Sequence, residues 1–324
     1  MIIQSQFTPA SGLSNSHVQT LLPTFIRNSL KLEGIKQSME LDDGDFLDLV
    51  WTEKPIKNKP IVIVFHGLEG SIDSPYARGI MLAIKKQGWT GLLMHFRGCS
   101  EHTNRLPRSY HSGETGDAKI LLSWLNTNFP DSPLAAVGFS LGGNMLLKLQ
   151  AELAQSSPFK AVVSVSAPML LNACADRLNK GFSKIYQRYL LGHLKRKLLD
   201  KAGRHNYAQL INLDASRINQ LNSFWLFDDR VTAPLHGFTG VEDYYAQSSA
   251  RQYLNKIKSP SLILQALDDP FMTQDILPDE AELSSTTQLE LSRYGGHVGF
   301  ISGTIFRPEF WLEKRIPEYL SEFI

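Results

Sequence analysis

The serine at position 140 has the sequence setting that most directly suggests chemistry. It lies in the run Gly-Phe-Ser-Leu-Gly at 138–142, after an apolar run at 134–137 that predicts a strand and before a run at 143–149 that predicts a helix. A serine in such a turn forms a nucleophile elbow, in which strained backbone lifts the hydroxyl clear of the sheet. The following helix presents its N-terminus to developing negative charge. We therefore predict that Ser140 is a nucleophile, in preference to an inert serine in a glycine-rich turn.

A nucleophilic serine needs a base, and two late histidines are candidates. With this elbow the chain order is serine, acid, histidine, and the last two lie on loops that follow late strands. His297 follows the last predicted strand in a glycine-rich loop at 294–299, which would let the imidazole reach Ser140. His236 comes before the strand predicted at 261–266. We therefore predict that His297 is the base.

The orienting acid should follow the strand at 261–266, where two aspartates stand side by side. Its carboxylate would hold one imidazole tautomer and stabilise the imidazolium without itself taking the proton. Asp269 is favoured because a triad acid in this loop commonly stands directly before a proline, here Pro270. Asp268 stays open as the alternative, and otherwise it is expected to act as a turn or capping residue.

An oxyanion hole requires backbone N–H donors beside the serine. The residue after the nucleophile supplies one donor, here Leu141, and the loop after the third predicted strand supplies the other. In that loop, at 66–70, Leu68 is the predicted donor because Gly67 before it allows a sharp turn. His66 is expected to orient the loop.

The elements around these residues predict an α/β architecture with an eight-stranded, mostly parallel sheet. Stretches at 35–41 and 46–52 flank a turn-forming cluster and predict an antiparallel hairpin. Six further strands alternate with helices, which favours parallel pairing. They are predicted at 61–65, 91–96, 134–137, 161–166, 261–266 and 288–292. Residues before about 30 are predicted to be irregular because Pro9, Gly12 and Pro23 interrupt them.

The segment 168–259, between the sixth and seventh predicted strands, is too long for an ordinary crossover. We predict a single domain, residues 1–324, with a helical cap at 168–259 inserted after strand six. The longest cap helix is predicted at 182–199. Its apolar residues are expected to shape an acyl pocket; they are Phe182, Ile185, Tyr186, Tyr189 and Leu190.

Composition limits the classes of function. The formal net charge of +1 argues against global attraction to nucleic acid or an anionic membrane. The two cysteines, Cys99 and Cys174, are too few for a disulfide framework or a four-thiol metal site.

The first residues lack the features of a signal peptide, and no apolar run approaches the roughly 20 residues that span a bilayer, so we expect a cytoplasmic protein. No phosphate-loop, dinucleotide or zinc motif is present, so we expect neither cofactor nor metal.

Several short stretches, in this order, resemble one branch of a known family. They are HVQTLLP at 17–23, HGLEG at 66–70, FRGCS at 96–100, YHSGET at 110–115, GFSLGGN at 138–144, FDDRVTAP at 227–234, DDPF at 268–271 and GGHVGF at 295–300. The chain is similar in them to the YheT-like (EMB8-type) branch of the α/β hydrolases, which also includes the animal ABHD1/2/3-like proteins.

This resemblance implies the α/β-hydrolase fold and hydrolysis of a small-molecule ester or lipid by Ser140, Asp269 and His297. Relatives in this branch include short-chain esterases, acylglycerol or phospholipid hydrolases and alcohol acyltransferases, so the substrate is left open. Two alternatives are an alcohol O-acyltransferase with the same triad and a non-catalytic hydrolase-fold binding protein. The sequence leaves the oligomeric state open.

Overall fold

The computed structural model describes residues 1–27 and 30–324, and its centre is a nine-stranded sheet. The strands are β1 (Ile2–Gln4), β2 (Ile35–Glu40), β3 (Phe46–Trp51), β4 (Ile61–Phe65), β5 (Thr90–Met94), β6 (Leu134–Phe139), β7 (Phe159–Val165), β8 (Ser261–Ala266) and β9 (Thr287–Ser292). Their spatial order is β1-β9-β8-β7-β6-β4-β5-β3-β2. The pairs β2–β3 and β3–β5 are antiparallel, and the other pairs are parallel. The predicted α/β class with a mostly parallel sheet is confirmed.

Helices cover the sheet, and a small second hairpin is formed by β10 (Ile301–Gly303) and β11 (Pro308–Phe310). The helices are α1 (Ser16–Ile26), α2 (Pro75–Lys86), α3 (Gly116–Asn128), α4 (Leu141–Leu153), α5 (Leu171–Leu178), α6 (Ser183–Ala202), α7 (Tyr207–Ile211), α8 (Phe224–Phe227), α9 (Ala233–Leu235), α10 (Val241–Ser248) and α11 (Leu312–Leu320). In the part of the chain that the structure describes, none of the helices has the length and apolar character needed to cross a membrane.

Strand β4 shows how the sheet is buried on both faces. All five of its residues are apolar and fully buried, as expected for a central parallel strand. Because side chains alternate along a strand, Ile63 packs in the cluster covered by α3 and α4, and Val64 packs in the cluster covered by α2 and α11. The carboxyl ends of the parallel strands meet at one edge, so the loops after β4, β6, β8 and β9 converge there.

The N-terminal residues were predicted to be irregular, but they contain the strand β1 and the helix α1. Because β1 joins the sheet, the sheet has nine strands instead of the predicted eight. Strand β1 pairs in parallel with β9, but three residues are too few to give a periodic signal. Helix α1 begins after Asn15, whose side-chain oxygen accepts hydrogen bonds from the N–H groups of His17 (3.0 Å) and Val18 (3.2 Å). Pro23 lies inside α1, where it removes one helical hydrogen bond but does not end the helix. The prediction that Pro23 interrupts regular structure here is therefore wrong.

Helices α5 to α10 all lie in the segment 168–259, which we call the insertion. Its longest helix, α6, is 20 residues long; it begins one residue after the start of the helix predicted at 182–199 and ends three residues beyond it. Apolar residues of the insertion form a cluster of their own, with Tyr186, Leu198 and Phe227 among its buried members. The insertion therefore has its own small core beside the main sheet.

Candidate active site

Ser140 lies in the turn between β6 and α4 with its backbone in a left-handed conformation, φ 51° and ψ −120°. Residues other than glycine rarely adopt a positive φ, so the surrounding structure holds this one under strain. The neighbours explain the glycines of the turn. A Cβ at Gly142 would lie 2.5 Å from the carbonyl oxygens of Phe65 and His66, and a Cβ at Gly138 would collide with the Gly142 carbonyl. The sequence therefore forms a tight turn against the loop after β4.

The structure brings together the three residues predicted as nucleophile, base and acid. Nε2 of His297 lies 2.9 Å from Oγ of Ser140, and Nδ1 of His297 lies 2.8 Å from Oδ2 of Asp269. Because an ionised carboxylate only accepts hydrogen bonds, Nδ1 carries the imidazole proton and Nε2 accepts from the serine hydroxyl. Oδ1 of Asp269 accepts from the N–H of Phe271 at 2.8 Å, and the Phe271 ring stacks on the imidazole at 4.0 Å between centroids. The imidazole is thus fixed in position and tautomer.

The loop that carries His297 is held against α1. Thr20 Oγ1 accepts a hydrogen bond from the His297 N–H at 2.9 Å. Gly296 has φ 58°, and a Cβ there would lie 2.5 Å from a carbonyl oxygen of α1. Sequence reasoning missed Thr20 because it missed α1. The signal that could have revealed the helix is Asn15, a good N-cap residue ahead of the apolar positions.

Asp268, the alternative acid, and His236, the alternative base, make hydrogen bonds to other groups. Asp268 Oδ1 accepts a hydrogen bond from the Gly296 N–H at 2.9 Å, so this carboxylate supports the loop of His297. Burial raises the pKa of Asp268. His236 lies in the insertion, where its Nδ1 is 2.8 Å from the carbonyl oxygen of Thr232. Asp269 is therefore the aspartate that the structure places against the imidazole.

The loop after β4, which lies next to Ser140, contains one N–H group that makes no hydrogen bond to the described residues. The N–H groups on either side of Leu68 donate to the hydroxyls of Tyr76 and Tyr110, each at 2.8 Å. The Leu68 N–H itself has no partner among the described residues. Leu141 opens α4, where the first N–H groups of a helix lack helical partners. Two donors are therefore available where the oxyanion hole is predicted.

His66 anchors the base of this loop. Its Nδ1–H donates to the carbonyl oxygen of Gly67 at 2.7 Å, and its Nε2 accepts from the N–H of Phe96 at 3.0 Å. Burial lowers the pKa of His66 to about 3, so the ring is neutral. Both ring nitrogens are engaged, which suits the predicted orienting role.

Ser140 and His297 lie in the wall of a cavity of about 310 Å³, which we call the main cavity. Most of its lining is apolar or aromatic and comes from α1, from the insertion and from the loops after β8 and β9. Representative lining residues are Leu21, Leu171, Ala175, Leu178, Tyr186, Leu190, Phe271, Met272 and Val298. A wall of this character can enclose a hydrocarbon chain next to the serine.

The insertion residues predicted to shape a pocket divide into two sets. Tyr186, Tyr189 and Leu190 line the main cavity. Phe182 and Ile185 lie outside its lining and are 49% and 54% exposed. Helical periodicity indicated which residues were apolar, but it could not indicate which side of α6 faces the serine.

Comparison with known proteins places the chain in a family. Residues 60–304 match the family described as alpha/beta hydrolase fold. The chain belongs to the α/β hydrolases. An esterase of Pyrococcus furiosus, Pf2001, shares the hydrolase fold with a TM-score of 0.56 at 19% sequence identity, over 92% of this chain and 96% of that one.

Two relatives match this α/β hydrolase over nearly its full length. YheT of Escherichia coli (strain K12), a proposed esterase, is 47% identical over 99% of this chain and 94% of its own. Phospholipase ABHD3 of Bos taurus is 24% identical over 100% of this chain and 80% of its own. The resemblance to the YheT-like branch is therefore confirmed.

Proposed function

We propose that this protein is a serine esterase that cleaves carboxylic esters with an apolar acyl chain. The observation that carries the proposal is the hydrogen-bonded series Asp269–His297–Ser140 in the wall of an apolar cavity. Ser140 acts as the nucleophile, His297 as the general base and Asp269 as the orienting acid. The names of the relatives, a proposed esterase and a phospholipase, support the same class of reaction.

In the first half-reaction, Nε2 of His297 takes the hydroxyl proton of Ser140 while Oγ bonds to the ester carbonyl carbon. The N–H groups of Leu68 and Leu141 donate to the carbonyl oxygen as it becomes negatively charged. The C–O bond to the alcohol then breaks, and His297 gives its proton to the departing alcohol oxygen. The acyl group is left on Ser140.

In the second half-reaction, His297 takes a proton from water while the water oxygen attacks the acyl carbon. The tetrahedral species collapses to the carboxylic acid, and the proton returns to Oγ of Ser140. An alcohol in place of water would transfer the acyl group by the same steps.

We further propose that the chain is a single domain in which the insertion acts as a cap over the serine. Two contacts support this arrangement. Lys197 Nζ in α6 lies 2.8 Å from Oε2 of Glu69 in the loop after β4. Ser183 Oγ donates to the carbonyl oxygen of Pro270 at 2.6 Å. The insertion is therefore joined to both loops that flank the proposed reaction centre.

A panel of p-nitrophenyl esters from acetate to palmitate tests the proposed function. We expect kcat/KM to rise more than tenfold from acetate to medium chains, because each methylene buried in an apolar cavity contributes about 0.8 kcal/mol. Absence of turnover with every ester would favour the non-catalytic binding protein. Faster transfer to added butanol than to water would identify an acyltransferase.

The cap proposal predicts a change in chain-length preference on truncation of Leu190. Leu190→Ala removes apolar volume from the wall of the main cavity, so longer acyl chains should gain relative to short ones by about 4- to 15-fold, the equivalent of one or two methylenes. Ile185→Ala, on an exposed position of the same helix, is the matched control and should leave the ratio unchanged. An equal loss at all chain lengths in Leu190→Ala would mean that the core alone builds the acyl site.

A further inference from the structure

Glu69 follows Leu68 in the loop after β4, and its backbone is left-handed, with φ 56°. Residues other than glycine rarely keep such a φ unless neighbouring groups hold them there. The Glu69 N–H donates to the hydroxyl of Tyr110 at 2.8 Å, and the same hydroxyl donates to Oε1 of Glu69 at 2.9 Å. One tyrosine hydroxyl therefore holds both the backbone and the side chain of Glu69.

Tyr110 is itself fixed by the core. Its buried ring stacks on the ring of Phe96, with 5.1 Å between the centroids and 9° between the planes. The N–H of Phe96 donates to Nε2 of His66, at the start of the loop that contains Glu69. The position of the Tyr110 hydroxyl is therefore set by core packing.

The second carboxylate oxygen of Glu69 pairs with the insertion. Oε2 lies 2.8 Å from Nζ of Lys197 in α6, and the side chain of Glu69 is only 3% exposed. Nζ of Lys197 also donates to Sγ of Cys99 at 3.3 Å. Burial raises the pKa of Cys99 to about 12, so its thiol is neutral and does not compete with Glu69 for the positive charge. A carboxylate buried this deeply requires an opposite charge, and Lys197 supplies it.

Lys197 shares a face of α6 with a residue of the main cavity. Leu190 lines that cavity, and Lys197 follows it by about two helical turns. Residues at this spacing lie on the same side of a helix. One side of α6 therefore faces the main cavity at one point and Glu69 at another.

The contacts of Glu69 bear directly on Leu68, the proposed second oxyanion donor. The loop lies beside the nucleophile, since a Cβ at Gly67 would be 3.2 Å from Cβ of Ser140. The N–H groups of Gly67 and Glu69 are both held by tyrosine hydroxyls at 2.8 Å. Because each peptide unit is planar, fixing the units on both sides of the Leu68 N–H fixes its direction.

We propose that Glu69 is a positioning residue for the oxyanion hole, and that its ion pair with Lys197 keeps the Leu68 N–H directed at the ester carbonyl oxygen. The inference rests on the proposed esterase function. The insertion then contributes to the reaction step as well as to the wall of the main cavity. Stabilisation of the oxyanion acts on kcat, whereas uniform binding of the acyl chain acts on KM, so the two contributions can be measured separately.

Glu69→Gln tests the inference with p-nitrophenyl octanoate as the substrate. The amide oxygen can still accept from Tyr110, but the amide nitrogen would face the ammonium group of Lys197, and both groups are donors. We expect kcat to fall about 10- to 100-fold, because outright loss of an oxyanion donor costs about 10²- to 10³-fold. KM should change less than about twofold. The Ki of octylboronic acid, which forms a tetrahedral anion on the nucleophile, should rise by the factor by which kcat falls.

Variants of Lys197 test the other side of the ion pair. Lys197→Met should lower kcat by a similar factor, and Lys197→Arg, which keeps the charge, should stay within about fivefold of the wild type. Glu69→Gln/Lys197→Met should lose no more than about threefold beyond the larger single loss, because both changes break one interaction. Glu101→Gln, which breaks an exposed ion pair with Lys36, is the matched control and should match the wild type.

Other outcomes overturn the inference or its basis. A wild-type kcat in folded Glu69→Gln, with or without a lower melting temperature, would show that the ion pair only stabilises the fold. A loss confined to KM would assign the pair to the acyl site. If Glu69→Gln does not fold, Lys197→Met decides by the same criteria, because the Lys197 side chain is 33% exposed. Absence of ester turnover in the wild type would instead reject the proposed esterase function, on which the inference depends.

Discussion

Ser140→Ala should lower kcat/KM for every ester by up to about 10⁶-fold, the scale seen when a serine hydrolase loses its nucleophile. The hydroxyl of Ser140 is the atom at hydrogen-bonding distance from Nε2 of His297, so no covalent intermediate can form without it. The measurement is the hydrolysis of p-nitrophenyl butyrate by purified variants with equal melting temperatures. Ser123→Ala, an exposed position on α3, is the control and should keep full activity. Substantial turnover by folded Ser140→Ala would place the nucleophile elsewhere.

The second large effect is expected on substitution of Asp269, and it distinguishes this residue from the adjacent Asp268. Asp269→Asn should lower kcat by about 10⁴-fold, the size of this effect in a serine protease. The amide oxygen would be held by the N–H of Phe271, so the amide nitrogen would face Nδ1 of His297. The imidazole proton would then move to Nε2, which could no longer accept the proton of Ser140.

Asp268→Asn is the matched control for this substitution. Its amide oxygen can still accept from the Gly296 N–H, so kcat should fall less than tenfold. The two variants are compared by kcat for one ester and by melting temperature. If Asp268→Asn proves the more damaging at unchanged stability, the acid has been assigned to the wrong residue.

The sequence was sufficient for the features that depend on local pattern. The elbow at Ser140 combines glycines, a strand and a helix within a few residues. The order of strands then placed the acid and the histidine on neighbouring loops. The choice of Asp269 over Asp268 depended on the adjacent proline, and the structure places Asp269 against His297.

The features that the sequence did not predict depend on contacts between distant segments. Thr20 supports His297 across 277 positions of the chain. The main cavity likewise combines α1, the insertion and two late loops, so its shape is a property of packing.

Site mapping with a fluorophosphonate probe is the most direct test of the central claim that Ser140 is the catalytic nucleophile. The probe reacts with a serine only where a base and an oxyanion hole activate it. We expect mass spectrometry of the labelled native protein to show one adduct, on the peptide that contains Ser140, and no adduct in Ser140→Ala. An absence of labelling in the native protein, or labelling that persists in Ser140→Ala, would contradict the account.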